Sequence, residues 1–245
     1  MNLIEELGLG PRELVAFTGG GGKTTLLHEL SRQLADRGER TLITTTTKLG
    51  LDQTEGVSIV WSLDPFQIEV VLDGAATVFV LSEGNDHKVR GYEPEIVDEL
   101  FVDSSAAYVL VEADGSRGRS LKAPADHEPV VPAAASIVVV VMGIDAIGCT
   151  IFEAAHRPAE AAALTGLAES DRITVEAAVR VLTHPEGGLK GIPASARVVV
   201  ALTKVDASSQ AVAEQIATRV AEHRRVHRVV AIPFDGKTPA TPPVD

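Results

Sequence analysis

The sequence predicts an α/β domain of the P-loop NTPase type, with a mostly parallel sheet, helices on both faces and a helical elaboration over about residues 150–190. Three observations predict it. An apolar strand at Leu14–Phe17 runs into four glycines, Gly19 to Gly22, then into Lys23, Thr24, Thr25 and a helical pattern. A second apolar strand, Ala107–Val111, ends in the carboxylates Glu112 and Asp114. A third run, Ser136–Met142, is continuously apolar, the pattern of a strand buried on both faces of a parallel sheet. The domain is expected to span 1–236, with 237–245 as a mobile Pro- and Thr-rich tail.

Composition sets bounds. At 245 residues with 45% hydrophobic and 23% charged content, the chain can bury a substantial core. The net charge of −12 argues against nucleic acid or an anionic membrane as partner, since either attracts a basic surface. The lone Cys149 excludes an internal disulfide framework. The start, MNLIEELGLG, lacks the basic and apolar regions of a secretory signal. No window approaches the ~20 apolar residues of a membrane span. A cytoplasmic protein is expected.

Taken in order, strand, glycine loop, Lys-Thr and helix form the layout of a phosphate-binding loop. Glycines let backbone N–H groups curl around an anion without Cβ clashes, and the helix start adds partial positive charge. Lys23 then reaches the β/γ-phosphates and the Thr24 hydroxyl reaches Mg²⁺. The match to G-x-x-x-x-G-K-[ST] is incomplete, because Phe17 stands where the first Gly belongs. A mere strand-to-helix turn is the plainer alternative, but it gives no reason for Gly-Lys-Thr-Thr at that exit. Leu26, Leu27, Leu30 and Leu34 carry the helix to Asp36, with Gly38 as its C-cap.

The strand Thr41–Thr46 follows, and its threonine run Thr44–Thr47 leads to Lys48. Threonine favours strands, so a half-exposed strand is one reading. The other places these hydroxyls beside Mg²⁺ or phosphate, since parallel sheets bind ligands at strand carboxyl ends. Val57–Trp61 is another short apolar run, Thr77–Ser82 reads as a strand, and Pro65–Leu72 and Pro94–Leu100 read as helices. Between them lies a polar loop, Glu83–Tyr92, with Asp86, His87, Lys88, Arg90 and Gly91, a candidate lid or substrate loop against a plain solvated surface loop.

Glu112 and Asp114 at the end of a central strand are the Walker-B arrangement, which coordinates Mg²⁺ or positions the attacking water. If the strand persists that far, alternation aims both at one face. Residues 116–132 then bring Arg117, Arg119 and Lys122, candidates for a phosphate or a second anion. His127 and Glu128 are candidates for acid/base or metal roles, against an ordinary hydrogen-bonded loop. Gly143–Gly148 is a turn containing Asp145; His156-Arg157-Pro158 opens a helix over Ala159–Leu164, and Val175–Leu182 is another. These helices suggest an insert or cap. Arg197–Leu202 is a buried strand ending in Thr203-Lys204-Val205-Asp206, which fits the guanine-reading pattern [NT]-K-x-D. Its carboxylate would accept hydrogen bonds from the base and its lysine stem would lie along the base plane. Ala207–Arg225 reads as a helix and Val229–Phe234 as the last strand.

The segments TGGGGKTT, ITTTTK, VEADGSRGRSLKAPADHEPVVP, GIDAIG, HRP and LTKVD together resemble the YqeC family of selenium-dependent hydroxylase accessory proteins. The resemblance spans roughly the first strand to the last, and the EADG…LKAP…HEP block is its most specific part. It implies a P-loop NTPase in maturation or selenium-cofactor assembly of molybdenum-containing hydroxylases. The spacing Glu112-x-x-Gly115 also resembles an element of the nickel-insertion GTPases for urease and hydrogenase. Dimerising ATPases of that class carry a second lysine early in the loop; Thr18 stands there in this chain. No lysine reaching across a dimer is expected.

The site expected from these readings has Gly19, Gly20, Gly21, Gly22, Lys23, Thr24 and Thr25 on phosphate, and Thr24, Glu112 and Asp114 on Mg²⁺. Lys23, Glu112 and Asp114 serve hydrolysis, and Lys204 with Asp206 contacts the base of GTP, with ATP the alternative. Two rivals stand beside a hydrolase that switches assembly of a client enzyme. One is a small-molecule kinase whose acceptor is held by Lys88, Arg90, Arg119 and Lys122. The other is a nucleotide-gated chaperone with negligible turnover.

Overall fold

The computed structural model describes residues 1–233. The expected tail, 237–245, and the final residue of the last expected strand, Phe234, lie outside the described residues. The chain opens with α1 (Leu3–Glu6), β1 (Glu13–Gly19) and α2 (Lys23–Asp36). Next come β2 (Thr41–Thr45), β3 (Lys48–Gly50), β4 (Ser58–Val60), α3 (Pro65–Gly74) and β5 (Thr77–Val80). Then follow β6 (Glu83–Gly84), β7 (Lys88–Arg90), α4 (Pro94–Asp103), β8 (Tyr108–Glu112), β9 (Leu121–Lys122) and β10 (Ile137–Gly143). The remainder is α5 (Ile151–Ala154), β11 (Ala155–His156), α6 (Pro158–Thr165), α7 (Val175–Thr183), β12 (Arg197–Val205), α8 (Gln210–Ala221) and β13 (Val226–Pro233).

Among the described residues, eight strands form one sheet in the order β13-β12-β10-β1-β8-β2-β5-β4. Every pairing in it is parallel. Parallel neighbours need a crossover, and right-handed crossovers lay helices on both faces. Side chains therefore divide by parity. Val15, Phe17, Ile43, Leu110 and Val139 face α1 and α2 with Leu26, Leu27, Leu30 and Leu34. Leu14, Ala16, Leu42, Val109, Val138 and Val200 face the other way, onto α3, α4, α6, α7 and α8. Both faces are dry, which is why the strands read as near-continuous Val and Leu runs.

Register places the site. Phe17 and Thr45 both lie beside Glu112, Gly19 beside Val141, and Gly143 beside Thr203. The carboxyl ends of β1, β2, β8, β10 and β12 thus share one rim, where ligands bind in open α/β sheets.

Three expectations change. The polar loop Glu83–Tyr92 is a β-hairpin, with β7 antiparallel to both β6 and β3 and Val89 buried beneath it. Strands this short carry no periodicity to detect. Gly91 sits so close to β2 that a Cβ would fall 1.7 Å from the Thr45 carbonyl oxygen. The helices of 150–190 are not a separate cap, because Ala161, Ala178, Val181 and Leu182 join the sheet's own core. The expected helix Ala207–Arg225 spans only Gln210–Ala221. The carboxylate of Asp206 accepts bonds from the N–H groups of Ser208 and Ser209, which delays its start.

Candidate functional site

The β1–α2 loop is shaped by its neighbours. Gly19 and Gly21 take φ of 92° and 84°, and Cβ atoms there would lie 2.2 Å from the Val141 oxygen and 2.1 Å from the Gly143 nitrogen. Only glycine fits both conditions. The loop's amides are not all alike. Gly19 N–H donates to Asp114 Oδ2 (3.0 Å), Gly20 N–H to the Val141 carbonyl (2.8 Å) and Gly21 N–H to the Arg119 carbonyl (2.9 Å). The expectation that all four glycines offer N–H groups to phosphate is narrowed accordingly. Among the described residues, Gly22, Lys23, Thr24 and Thr25 make no such bond through their N–H groups. These are the orphan amides at the head of α2, directed along the helix axis with its positive dipole end.

Three side chains converge on that head. The buried Lys23 ammonium lies 2.6 Å from the Gly19 carbonyl and 3.1 Å from Asp114 Oδ1. The Thr24 hydroxyl donates to Glu112 Oε2 at 2.8 Å. Glu112 is buried, and burial pushes its carboxyl pKa up against the opposing pull of Lys23 and the Thr24 hydroxyl. Asp114 lies past the end of β8, and it faces lysines rather than Thr24. The expected Mg²⁺ set is therefore divided: Thr24 and Glu112 stand together as oxygen donors, while Asp114 is occupied by cations.

A chain of ion pairs runs back from the loop. Lys122 Nζ, also buried, is 3.3 Å from Asp114 and 3.1 Å from Glu128, and Arg157 Nε is 3.0 Å from the same Glu128. Burial acts to raise the Glu128 pKa, but the bonds from Arg157 and Lys122 outweigh it and hold the carboxyl at about 2. His156, beside Lys122 across the β9–β11 pair, is lowered to about 4 by burial and then by the charges of Lys122 and Arg157.

The three cations expected to gather on an anion point apart. Lys122 turns inward, the Arg119 guanidinium donates to the Glu153 carbonyl, and Arg117 is exposed. His127 is exposed, and among the described residues its side chain makes no hydrogen bond or ion pair, while Glu128 pairs with Lys122 and Arg157. Lys88 and Arg90 are exposed on the hairpin. The threonine run is structural for three of its hydroxyls. Thr44, Thr45 and Thr46 donate to the carbonyls of Val80, Glu112 and Val130, tying strand ends to each other and to residues 113–130.

The end of β12 reaches the loop through Thr203, whose buried hydroxyl donates to the Gly21 carbonyl. Lys204 takes a left-handed φ of 60°, uncommon for a residue with a Cβ, and its ammonium lies 2.7 Å from Asp145 Oδ2 and 2.9 Å from Ser120 Oγ. Asp206 is exposed, with its pKa lowered to about 2 by bonds from the hydroxyls of Ser208 and Ser209 and from the Ser209 N–H. Lys204 and Asp206 are thus held by separate local partners. Sequence reasoning did not single out Gln53. Its Nε2 donates to Thr24 Oγ1 at 3.1 Å, and it lies in a short turn with no motif to mark it.

The arrangement offers orphan amides and an ammonium to an anion, with a hydroxyl–carboxylate pair beside them for a hard cation. Among the described residues, no helix is long and apolar enough to cross a membrane.

Comparison with known proteins gives two kinds of match. A family model described as YqeC protein matches residues 15–159. A relative described as an uncharacterized protein YqeC, from Escherichia coli (strain K12), is 33% identical over 216 residues, covering 86% of this chain and 84% of that one. Solved structures are more distant. Chloroplast FtsY from Physcomitrella patens gives a TM-score of 0.49 at 14% identity, covering 94% of this chain but 64% of that one. The signal recognition particle receptor FtsY from Elizabethkingia anophelis gives 0.45 at 14%, covering 91% and 58%. HypB from Helicobacter pylori, solved with nickel, gives 0.36 at 9%, covering 91% and 79%.

Proposed function

The chain belongs to the YqeC family, and from that premise we propose that it binds a Mg²⁺–nucleoside triphosphate at the head of α2 and hydrolyses it. The base is guanine in this reading, and the hydrolysis serves maturation or selenium-cofactor assembly of molybdenum-containing hydroxylases. One observation carries the nucleotide: Lys23, the free amides of residues 22–25, and the Thr24–Glu112 pair converge on one helix start. The client rests on the family resemblance.

The amides and Lys23 would bind the β- and γ-phosphate oxygens. Two adjacent oxygen donors fit a hard divalent cation, so Thr24 and Glu112 would hold Mg²⁺, Glu112 directly or through water. When bound, the ion supplies charge neutralisation on the phosphates. Asp114 would fix Lys23 and Gly19 rather than the ion. Lys204 supports the base reading, because a non-glycine residue in left-handed backbone costs on the order of 1 kcal/mol and such strain clusters at ligand sites. The kinase alternative loses two of its four acceptor cations, since Lys122 and Arg119 are engaged inside the chain.

Titration of the purified chain with fluorescent GTP and ATP analogues, with and without Mg²⁺, tests this. Saturable, Mg²⁺-dependent GTP binding with release of inorganic phosphate is expected. Binding of ATP but not GTP would remove Lys204 and Asp206 from the base, and binding of neither would remove the whole reading.

A further inference from the structure

Lys122 belongs to no expected motif role that survives the structure, yet it is among the most buried charges of the molecule. Its place in the ion chain suggests what it does. Asp114 is 2% exposed and touches two ammonium groups, Lys23 at 3.1 Å and Lys122 at 3.3 Å. The first contact is poorly aligned: among the described residues Asp114 Oδ1 makes no hydrogen bond, although Lys23 Nζ is its neighbour. Beside it, Thr18, Gly19, Asp114 and Lys122 border a cavity of about 20 Å³, room for about one water, and the buried Thr18 hydroxyl likewise has no partner among the described residues. Asp114 therefore has space and slack to change partners.

A triphosphate at the head of α2 would draw Lys23 away from Asp114. A buried carboxylate left without a counter-ion is strongly unfavourable, and one beside a polyanion more so. Lys122 is already in place to prevent that. It is anchored by the Gly115 carbonyl (2.5 Å) and by Glu128 (3.1 Å), which Arg157 in turn holds.

We infer that Lys122 is a positioning residue for nucleotide binding: it neutralises Asp114 so that Lys23 can transfer from carboxylate to phosphate. The inference rests on the nucleotide reading above. Without Lys122, Asp114 keeps Lys23 as its one ammonium partner among the described residues, and the loop is latched by its own carboxylate. With Glu128 neutralised, Lys122 turns its full charge to Asp114 and Lys23 is released more easily.

The opposite signs make the test. Four chains are compared by GTP·Mg²⁺ titration and thermal melting: wild type, Lys122→Met, Asp114→Asn with Lys122→Met, and Glu128→Gln. Lys122→Met is expected to weaken binding about tenfold or more, the scale of losing a charge partner at a buried site. The double variant, with no carboxylate at position 114 to compensate, is expected to recover most of that loss. Glu128→Gln is expected to bind a few-fold more tightly than wild type, a gain that a merely structural role for this ion chain would not produce. If Lys122→Met does not fold, the double variant and Glu128→Gln decide. Wild-type affinity in Lys122→Met, no recovery in the double variant, or weakened binding in Glu128→Gln would overturn the role of Lys122 while leaving the nucleotide site standing. Absence of nucleotide binding in the wild-type chain would overturn the nucleotide reading and this inference with it.

Discussion

The ends of β1 and β12 lie on the same rim of one sheet and hold their charges in opposite ways. At β1, Lys23, Asp114 and Lys122 are buried and each touches another. At β12, Lys204 and Asp206 are near water and each is satisfied by a different set of neighbours. Charges in a low-dielectric interior interact strongly and must compensate one another. Charges at the surface are screened, and their geometry is set by local turns. Substitutions at the buried end should therefore propagate, and those at the exposed end should act alone.

The largest effect is expected from Lys23→Ala, with nucleotide affinity falling about 100-fold or more, since this removes the ammonium that sits at the helix head. Melting should change less than affinity, because Asp114 keeps Lys122. Retained tight binding in the same titration would break the contrast at its buried side.

Asp206→Asn is expected to lower the preference for GTP over ATP by about tenfold while leaving ATP affinity unchanged. Asn keeps one oxygen for the turn with Ser208 and Ser209, so the start of α8 should survive. Competition between the two nucleotides reads this out, and an equal loss for both would assign Asp206 to structure alone.

The smallest effect concerns acid stability. His156 is held neutral, with its pKa lowered from 6.5 to about 4. The unfolded chain thus binds the extra proton first, and stability should decline as pH falls from about 6.5 towards 4. The loss is on the order of 1 kcal/mol after screening. Glu128, lowered from 4.5 to about 2, adds a separate decline as pH drops below 4.5. Denaturant melts of His156→Asn across this range should lose the upper limb and keep the lower one. An unchanged upper limb would mean that His156 is not the group that carries it.

Much of this was legible in the residues. Gly19 to Thr25 and Glu112 are local signals, because a strand exit, a close backbone approach and a helix start each demand particular residue types within a few positions. The division of labour between Glu112 and Asp114 was not. Two carboxylates two apart look equivalent on paper, and their roles part only because Asp114 lies beyond the strand, facing Lys122 from eight residues downstream. Gln53 was invisible for the same reason, as it meets Thr24 across 29 positions of sequence. The threonine run was open to two readings, and three of its hydroxyls proved to be ties between strand ends.

By itself the sequence determined the layered α/β architecture and the strand–loop–helix unit at its centre. Those follow from apolar runs, glycine placement and helical spacing, which act over short stretches of chain. Only the tertiary structure decided which amides stay free, which carboxylate faces the threonine and which faces the lysines. Parallel register brings strand ends distant in sequence to one rim, and burial there makes each charge depend on the next.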